Sequence, residues 1–278
     1  MSKIGAHVSA AVSLELAFTK AQDIGAECIQ FFASPPQQWA FTHHDQAEIE
    51  RFRDQARNTG IGPNFIHGTY LVNLGTEKPE HLQKSIQWLK YGMGMAEKLG
   101  IEGVIFHTGS HKGKGFDEVL PQVVDALKQV LNYVDGSAKL ILETSAGGGG
   151  SIGRNFEELG KILKAVQNDR VRVCIDVAHT FAAGYDWRNH IDDILEEFDR
   201  EVGLDKLAAF HANDSKMDFE SYKDRHANIG EGFLGEGAFN QLLNHPKLKD
   251  KPFLLEVPGF DDNGPDKENI DILKKLRK

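Results

Sequence analysis

Residues 139–176 read KLILETSAGGGGSIGRNFEELGKILKAVQNDRVRVCID, and this stretch contains the repeating unit that decides the fold. Two short apolar runs, 139–142 and 171–175, flank a segment, 156–166, whose apolar residues recur three and four positions apart. Continuous apolar runs of this length are typical of buried parallel strands, and the three-four spacing is typical of an amphipathic helix. The stretch therefore predicts a strand, a helix and a second strand.

The same unit recurs along the whole chain. The predicted strands are residues 3–6, 28–32, 64–66, 103–106, 139–142, 171–175, 207–210 and 252–255. The predicted helices are residues 14–24, 46–58, 80–99, 116–133, 156–166, 191–202, 238–243 and 269–276. Gly25, Gly60 and Gly100 each follow a helical stretch and are predicted to end it in a left-handed conformation.

Eight such units without a Pro- or Ser-rich linker favour one α/β domain over residues 1–278. The fold predicted is a (β/α)8 TIM barrel rather than a doubly wound open sheet. In a TIM barrel the active site lies at the C-terminal ends of the strands and in the loops that follow them. The residues at those strand ends are therefore the first candidates for function.

Composition narrows the class of protein. The chain has 32 Lys and Arg against 41 Asp and Glu, a formal charge of −9, and a mean hydropathy of −0.39. No apolar run reaches 18 residues and no signal peptide precedes the first strand, so we expect a cytoplasmic protein, nucleoid-associated in a prokaryote, with no membrane partner. Cys28 and Cys174 lie inside apolar runs, which predicts buried reduced thiols. The negative charge by itself argues against a nucleic-acid partner.

His, Asp or Glu residues close most of the predicted strands. The residues that directly follow the third to eighth strands are His67, His107, Glu143, Asp176, His211 and Glu256, and the first strand ends at His7. Each one alone could be a hydrogen-bonded residue of the barrel rim. Together they would be costly to bury unless they bind something, and imidazoles with carboxylates suit Zn²⁺, Mn²⁺ or Fe²⁺.

Three more residues of the same types lie in adjacent loops. His179 follows Asp176 by three positions, and Asp224 and His226 lie two apart, on one side of an extended segment. Alone, the last two could be a solvated pair. Six strand-end residues and these three are nine candidate ligands, which is too many for one ion and implies two or three. Clustered metal ions serve phosphate-ester hydrolysis, and their positive charges would offset part of the negative charge.

Long motifs carry a resemblance to a known family. They are IGAHVS (4–9), HGTYLVNLG (67–75), HTGS (107–110), LETSAG (142–147), IDVAHTFAAGYD (175–186), HANDSK (211–216), DRHANIGEG (224–232) and LEVP (255–258). In these motifs, over essentially its whole length, the chain resembles endonuclease IV, the metal-dependent apurinic/apyrimidinic endonuclease family of deoxyribonuclease IV type. Because the motifs are long and ordered, the resemblance is specific.

The resemblance implies a trinuclear zinc site, with Mn²⁺ able to replace Zn²⁺ at one position. His67 and His107 would hold one ion, and Glu143, the catalytic residue, would bridge it to the second. Asp176, His211 and Glu256 would complete the second site. The third would consist of His179, Asp224 and His226. The partner implied is duplex DNA with an abasic site, cut on its 5′ side to leave a 3′-hydroxyl and a 5′-deoxyribose phosphate in base excision repair. A monomer is expected.

The resemblance also implies DNA contacts. Tyr70 and Leu71 match a loop that inserts into DNA, although burial against neighbouring loops is an equal alternative. In the loop at 35–40 this chain has Gln37 before Gln38 and Trp39, where relatives usually carry an Arg before the Trp, so a penetrating cation is missing. Loop cations that could grip phosphates or be merely solvated are Lys112, Lys114, Arg154, Lys216, Lys223 and Arg225.

Two other functions remain open at this point. A metal-dependent sugar isomerase or epimerase would use a similar barrel and similar ligands, but with one or two ions it would not require His179, Asp224 and His226. A protein that binds abasic DNA without turnover is the other alternative. It would not need all nine candidate ligands.

Overall fold

Eight parallel strands close into a barrel in the computed structural model, which describes residues 1–278. The barrel strands are β1 (Ile4–His7), β2 (Ile29–Phe31), β3 (Asn64–His67), β4 (Gly103–His107), β5 (Lys139–Glu143), β6 (Val171–Asp176), β7 (Leu207–His211) and β10 (Phe253–Leu255). Two further strands, β8 (Asp214–Ser215) and β9 (His226–Ala227), form a separate antiparallel pair between β7 and β10. The predicted TIM barrel is thereby confirmed.

Helices surround the barrel, and all but α6 lie in the predicted positions. They are α1 (Leu16–Ile24), α2 (Gln46–Thr59), α3 (Pro79–Leu99), α4 (Phe116–Tyr133), α5 (Phe156–Val166), α6 (Val177–Ala182), α7 (Ile191–Glu201), α8 (Gly235–Asn244) and α9 (Lys267–Leu276). The predicted glycine caps are present, with φ of 78° at Gly25, 69° at Gly60 and 68° at Gly100. No helix combines the length and the apolar character needed to cross a membrane.

One α-helix and two short strands were not predicted from the sequence. Helix α6 has 6 residues and follows β6 without a loop, so it spans less than two turns of helical periodicity. Strands β8 and β9 have 2 residues each, too few for an alternating pattern to show. His179 consequently lies on a helix and His226 begins a strand, whereas both were expected in loops.

The core has an outer and an inner part. A cluster of 66 buried residues includes the buried apolar faces of the helices and the strand residues packed against them. A second cluster of 7 buried residues contains one residue from each of seven barrel strands or from the position just before the strand. Its members are Cys28, Phe65, Ile105, Ile141, Cys174, Ala209 and Leu254. These residues fill the barrel interior, as layers of side chains do in TIM barrels. Both cysteines are free and buried, as predicted.

Candidate metal centre

A polar layer lies directly above the apolar layer inside the barrel. Side chains alternate between the two faces of a strand, so the residue two positions after each interior residue also points inward. Those residues are Gln30, His67, His107, Glu143, Asp176, His211 and Glu256. On β1 the residue below the layer is Gly5, where a Cβ would lie 2.0 Å from the Cys28 carbonyl oxygen, and His7 follows two positions later. All eight strands thus contribute one polar side chain.

The first group within this layer is formed by His67, His107 and Glu143. Glu143 Oε2 lies 3.2 Å from His67 Nε2 and 3.3 Å from His107 Nδ1. The other ring nitrogen of His67 donates to the Gly68 carbonyl oxygen at 2.7 Å. This hydrogen bond fixes the ring and directs Nε2 of His67 toward Glu143, which is the arrangement that orients metal-binding histidines.

The second group is Glu143, Asp176, His211 and Glu256. His211 Nδ1 lies 3.0 Å from Glu143 Oε1, 3.2 Å from Glu256 Oε2 and 3.8 Å from Asp176 Oδ2. Its Nε2 donates to Oε1 of Gln30 at 2.9 Å. Three carboxylates therefore surround one imidazole nitrogen whose orientation is fixed from behind.

The third group joins Asp176 to His179 and His226, and Asp224 lies beside it. His179 Nε2 is 3.1 Å from Asp224 Oδ2, and His226 Nε2 is 3.4 Å from Asp224 Oδ1 and 3.5 Å from Asp176 Oδ2. Helix α6 positions His179 one turn after Asp176, whose side chain caps the helix by accepting from the His179 backbone N–H at 2.8 Å. Strand β9 positions His226.

Two nitrogens of the third group are buried without a hydrogen bond. They are Nε2 of His179 and Nε2 of His226, although carboxylate oxygens lie near both. The opposite nitrogen of each ring is held, since His179 Nδ1 donates to the Thr144 carbonyl oxygen at 3.0 Å and His226 Nδ1 to that of Glu256 at 3.2 Å. Buried polar atoms normally have a partner, so these two nitrogens fit a cation between them.

The three groups share carboxylates. Glu143 belongs to the first and second groups, and Asp176 belongs to the second and third. The ligand atoms within each group all lie within 4.8 Å of one another. This donor set, imidazole nitrogen with carboxylate oxygen, suits Zn²⁺ and other borderline divalent ions, and shared carboxylates would hold neighbouring ions close together.

Electrostatics in the metal-free cluster favour positive charge. Burial alone would raise the pKa of Glu143 and Glu256, but neighbouring histidines hold the pKa of both carboxyls well below the usual range. Burial would also raise the pKa of Asp224, but His179 lowers it to about 2. These carboxylates are therefore ionised at neutral pH and attract protons or metal ions.

The pKa is raised in two of these histidines and lowered in a third. Burial would lower the pKa of His179, but Asp176 and Asp224 raise it well above its usual value. Burial would also lower the pKa of His211, but Cys174, Glu256 and Glu143 raise it well above its usual value. Burial is the largest influence on His107 and lowers its pKa. Without metal, His179 and His211 would carry protons that balance the carboxylates.

Three supporting residues were missed from the sequence. Gln30 contacts His211, and Asn213 Nδ2 donates to Asp176 Oδ2 at 2.7 Å. Thr144 Oγ1 accepts from the Asp176 backbone N–H at 2.9 Å. Gln30 could have been found, because it is the one strongly polar residue in the apolar run 28–32. Asn213 and Thr144 follow strand ends and gave no comparable signal.

A cavity of about 850 Å³ opens above the polar layer. Residues of all three groups reach it, among them His67, His107, His179, His226 and Glu256. Tyr70 and Arg225 also line it. The cavity therefore connects the candidate metal groups to the outside at the end of the barrel where the C-terminal ends of the strands lie.

Tyr70 lies over the first group. It is 56% exposed, and its ring centroid is 6.4 Å from that of His107 with the two rings 24° apart. Leu71 is half-buried, and its carbonyl oxygen accepts from His81 Nε2 at 2.7 Å. The Tyr70 backbone N–H donates to the Pro36 carbonyl oxygen at 3.0 Å. Tyr70 thus combines exposure with contacts to neighbouring loops.

Of the other residues predicted to contact DNA, Arg225 lines the cavity, whereas Gln37, Trp39 and Lys112 do not. Gln37 is exposed, while Trp39 is half-buried with its ring centroid 5.3 Å from that of His81. Arg225 is exposed and donates through Nη1 to the Asp224 carbonyl oxygen at 2.6 Å. Lys112 is exposed on the loop after β4 and does not line the cavity. The remaining loop cations, Lys114, Arg154, Lys216 and Lys223, are also exposed.

Comparison with known families extends these observations. Residues 18–276 match the family described as xylose isomerase-like TIM barrel. The chain is 38% identical over 276 residues to "Probable endonuclease 4" from Halothermothrix orenii, a match that covers 98% of this chain and 99% of the relative.

Solved structures are also similar to this chain. Endonuclease IV from Thermus thermophilus is 33% identical and superposes with a TM-score of 0.89 over 99% of this chain and 98% of its own. A D-tagatose 3-epimerase-like protein, at 19% identity, has a TM-score of 0.75 over 99% of this chain and 96% of its own. At that identity the likeness to the epimerase-like protein concerns the fold alone, so function has to be argued from the site.

Proposed function

The chain belongs to the endonuclease IV family of xylose isomerase-like TIM barrels, and on that premise we propose that it is a metal-dependent DNA repair endonuclease. Its proposed reaction is hydrolysis of the phosphodiester bond 5′ to an abasic site in duplex DNA. The proposed products are a 3′-hydroxyl end and a 5′-deoxyribose phosphate.

The observation that carries this proposal is the third group of donors. A sugar isomerase or epimerase needs one or two ions, and the polar layer inside the barrel would be sufficient for them. Here His179 and His226 extend the layer outward and leave two buried imidazole nitrogens directed at the same place. This extra group, joined to the second through Asp176, supports a three-metal hydrolase rather than an isomerase.

We propose that each group holds one Zn²⁺, with Mn²⁺ able to take one of the positions. His67, His107 and Glu143 would hold the first ion, and Glu143, Asp176, His211 and Glu256 the second. His179, Asp224 and His226 would hold the third ion. Asp176 belongs to both the second and the third group. Bound there, the ions would supply a nucleophile at neutral pH and neutralise the charge of the phosphoryl oxygens.

The residues of the chain orient this site. Glu143 is the proposed catalytic residue, because its two oxygens face different groups and fix the separation between them. Gln30, Gly68 and Thr144 hold imidazoles from behind, so the donor atoms are in place before substrate arrives. Preorganisation of this kind lowers the cost of reaching the transition state.

Two of the proposed DNA contacts, Tyr70 and Arg225, line the cavity. Tyr70 and Leu71 would enter the duplex beside the abasic nucleotide and stabilise its extruded form. Gln37 and Trp39 would lie along the same side, and Lys112 and Arg225 would contact phosphates. Since all nine proposed ligands come from one chain, the site is complete in a monomer, which is the proposed state.

The test is product analysis on a duplex that carries one synthetic abasic analogue, labelled at either end. We expect a single cut on the 5′ side that leaves a 3′-hydroxyl on one fragment and a 5′-phosphate on the analogue residue of the other. Intact DNA with fully metal-loaded protein would contradict the nuclease. A content near one metal per chain would instead favour an isomerase or epimerase.

A further inference from the structure

Two members of the polar layer remain outside the proposed ligand set. They are His7 on β1 and Gln30 on β2, which are neighbours because Cα partners across these strands pair His7 with Gln30. Gln30 is fully buried, and the side chain of His7 is 16% exposed. The two side chains contact each other, so their roles have to be considered together.

The orientation of the Gln30 amide is fixed by its neighbours. Gln30 Nε2 lies 2.6 Å from Glu256 Oε1, and Gln30 Oε1 lies 2.9 Å from His211 Nε2. An ionised carboxylate only accepts hydrogen bonds, so the atom that faces Glu256 has to be the amide nitrogen. The reversed amide would place two oxygens 2.6 Å apart without a proton between them.

This orientation determines the tautomer of His7. Gln30 Nε2 also lies 3.0 Å from His7 Nδ1, whereas Glu256 Oε1 lies 3.4 Å from that nitrogen and forms no hydrogen bond with it. An amide N–H₂ group can only donate, and a proton on Nδ1 would collide with it. Nδ1 of His7 is therefore the acceptor, and in the neutral ring the proton has to be on Nε2.

The protonated nitrogen of His7 faces no partner within the protein. No side chain or backbone group forms a hydrogen bond with His7 Nε2, while His7 lines the cavity of about 850 Å³ together with His67 and Glu256. The ring packs against Phe32, with centroids 4.4 Å apart, and lies 6.0 Å from the ring of His67. A free N–H donor is thus held beside the first and second metal groups.

We propose that His7 donates its Nε2–H to a non-bridging oxygen of the phosphodiester bound in this cavity, and that Gln30 is the positioning residue that fixes this tautomer. The inference rests on the proposed function, because it assumes a phosphodiester at the metal groups. The opposite tautomer would direct a nitrogen lone pair at the phosphate oxygen and repel it. His7 would therefore assist substrate binding without being a metal ligand.

Binding of inorganic phosphate to the zinc-loaded protein tests the role of His7. His7→Phe keeps a ring against Phe32 but has no donor, and His7→Gln restores an amide N–H near the position of Nε2. We expect His7→Phe to lower phosphate affinity roughly 10- to 100-fold, with His7→Gln recovering part of the loss. Both variants should retain the metal content of the wild type.

The same variants are compared in KM and kcat on the abasic duplex, where KM should rise more than kcat falls. Unchanged phosphate affinity and KM in His7→Phe would overturn the role of His7. If the wild-type protein binds phosphate but leaves abasic DNA intact, the proposed function fails while the phosphate arm still reports on His7.

The tautomer itself is measurable in the unmutated, zinc-loaded protein. Two-bond ¹H–¹⁵N spectra of protein labelled in histidine distinguish a proton on Nε2 from one on Nδ1, and the His7 signals are those lost in His7→Gln. We expect the Nε2–H form in the wild type and a shift toward the Nδ1–H form in Gln30→Leu. A proton on Nδ1 in the wild type would overturn the proposal, and an unchanged tautomer in Gln30→Leu would remove Gln30 from the positioning role.

Discussion

Glu143 Oε1 lies 3.0 Å from Nδ1 of His211, and both side chains are fully buried in the barrel. The other oxygen of Glu143, Oε2, faces His67 and His107. One carboxylate therefore belongs to two donor groups on opposite sides of it. An arrangement of this kind can keep two cations at a fixed separation, which is what hydrolysis at a phosphodiester by two ions requires.

Replacement of Glu143 should separate activity from folding. Glu143→Gln removes the shared charge but keeps the shape of the side chain, so we expect incision of abasic DNA to fall by at least about 100-fold, since even indirect partners of metal ligands contribute 10- to 100-fold. The thermal midpoint of the metal-free protein should fall too, because protonated His211 loses a buried counter-charge, but this loss should be far smaller than the loss of incision. Glu118→Gln, at an exposed position on α4, is the matched control. Equal activity in the two variants would remove Glu143 from the bridging role.

The third donor group should be removable without loss of the other two. His226→Ala deletes one of the two unpaired buried nitrogens, and we expect the zinc content to fall by about one ion per chain, by elemental analysis after dialysis. His190→Ala, where the His is 62% exposed, should keep the full content. A variant His226→Ala that still holds as much zinc as the control would show that this group does not bind metal.

Zinc binding should release protons. The pKa of His179 and of His211 is raised well above its usual value in the metal-free cluster, so both rings are protonated at neutral pH and must lose those protons to bind a cation. Apparent zinc affinity should therefore fall as the pH is lowered. Calorimetric titrations in two buffers with different ionisation enthalpies measure the protons released. Identical heats in both buffers would contradict this expectation.

The departure at Gln37 has a measurable consequence. Gln37 is exposed on the loop beside Tyr70, and its amide carries no charge. Gln37→Arg should tighten binding to undamaged duplex DNA and steepen the dependence of log K on log salt by about one, as expected for one more phosphate contact. Gln37→Lys is a second variant that introduces a positive charge, without the planar guanidinium group of arginine. An unchanged slope in both variants would place position 37 outside the DNA interface.

Much of the fold could be predicted because strands and helices each have their own period. The apolar runs located all eight barrel strands, and Gly25, Gly60 and Gly100 marked helix ends through their backbone conformation. The polar residue at each strand end was read as lying outside the strand, for example Asp176. Because Asp176 still pairs with His211 of the neighbouring strand β7, the structure includes Asp176 in strand β6.

The site was harder to predict than the fold. His179 could be singled out by type, but its position on α6 depends on a side-chain cap from Asp176 that no periodicity reveals. Gln30 was missed because it lies in an apolar run that was interpreted only as a strand. Its position two residues after Cys28, a residue of the barrel interior, shows that its side chain also points inward. The link from Asp176 to the third group depends on the fold of the segment between β8 and β9. Such relationships are set by long-range packing.

Three metal ions in this barrel should act together on abasic DNA. Zinc titrated into chelator-stripped protein, with incision of a duplex that carries a single abasic analogue as the readout, measures this. We expect no cleavage in the stripped protein, and cleavage on the 5′ side that rises with added zinc and reaches its plateau at three equivalents per chain. Full activity in the presence of the chelator, a plateau at one equivalent, or intact DNA at three bound ions would contradict a three-metal nuclease.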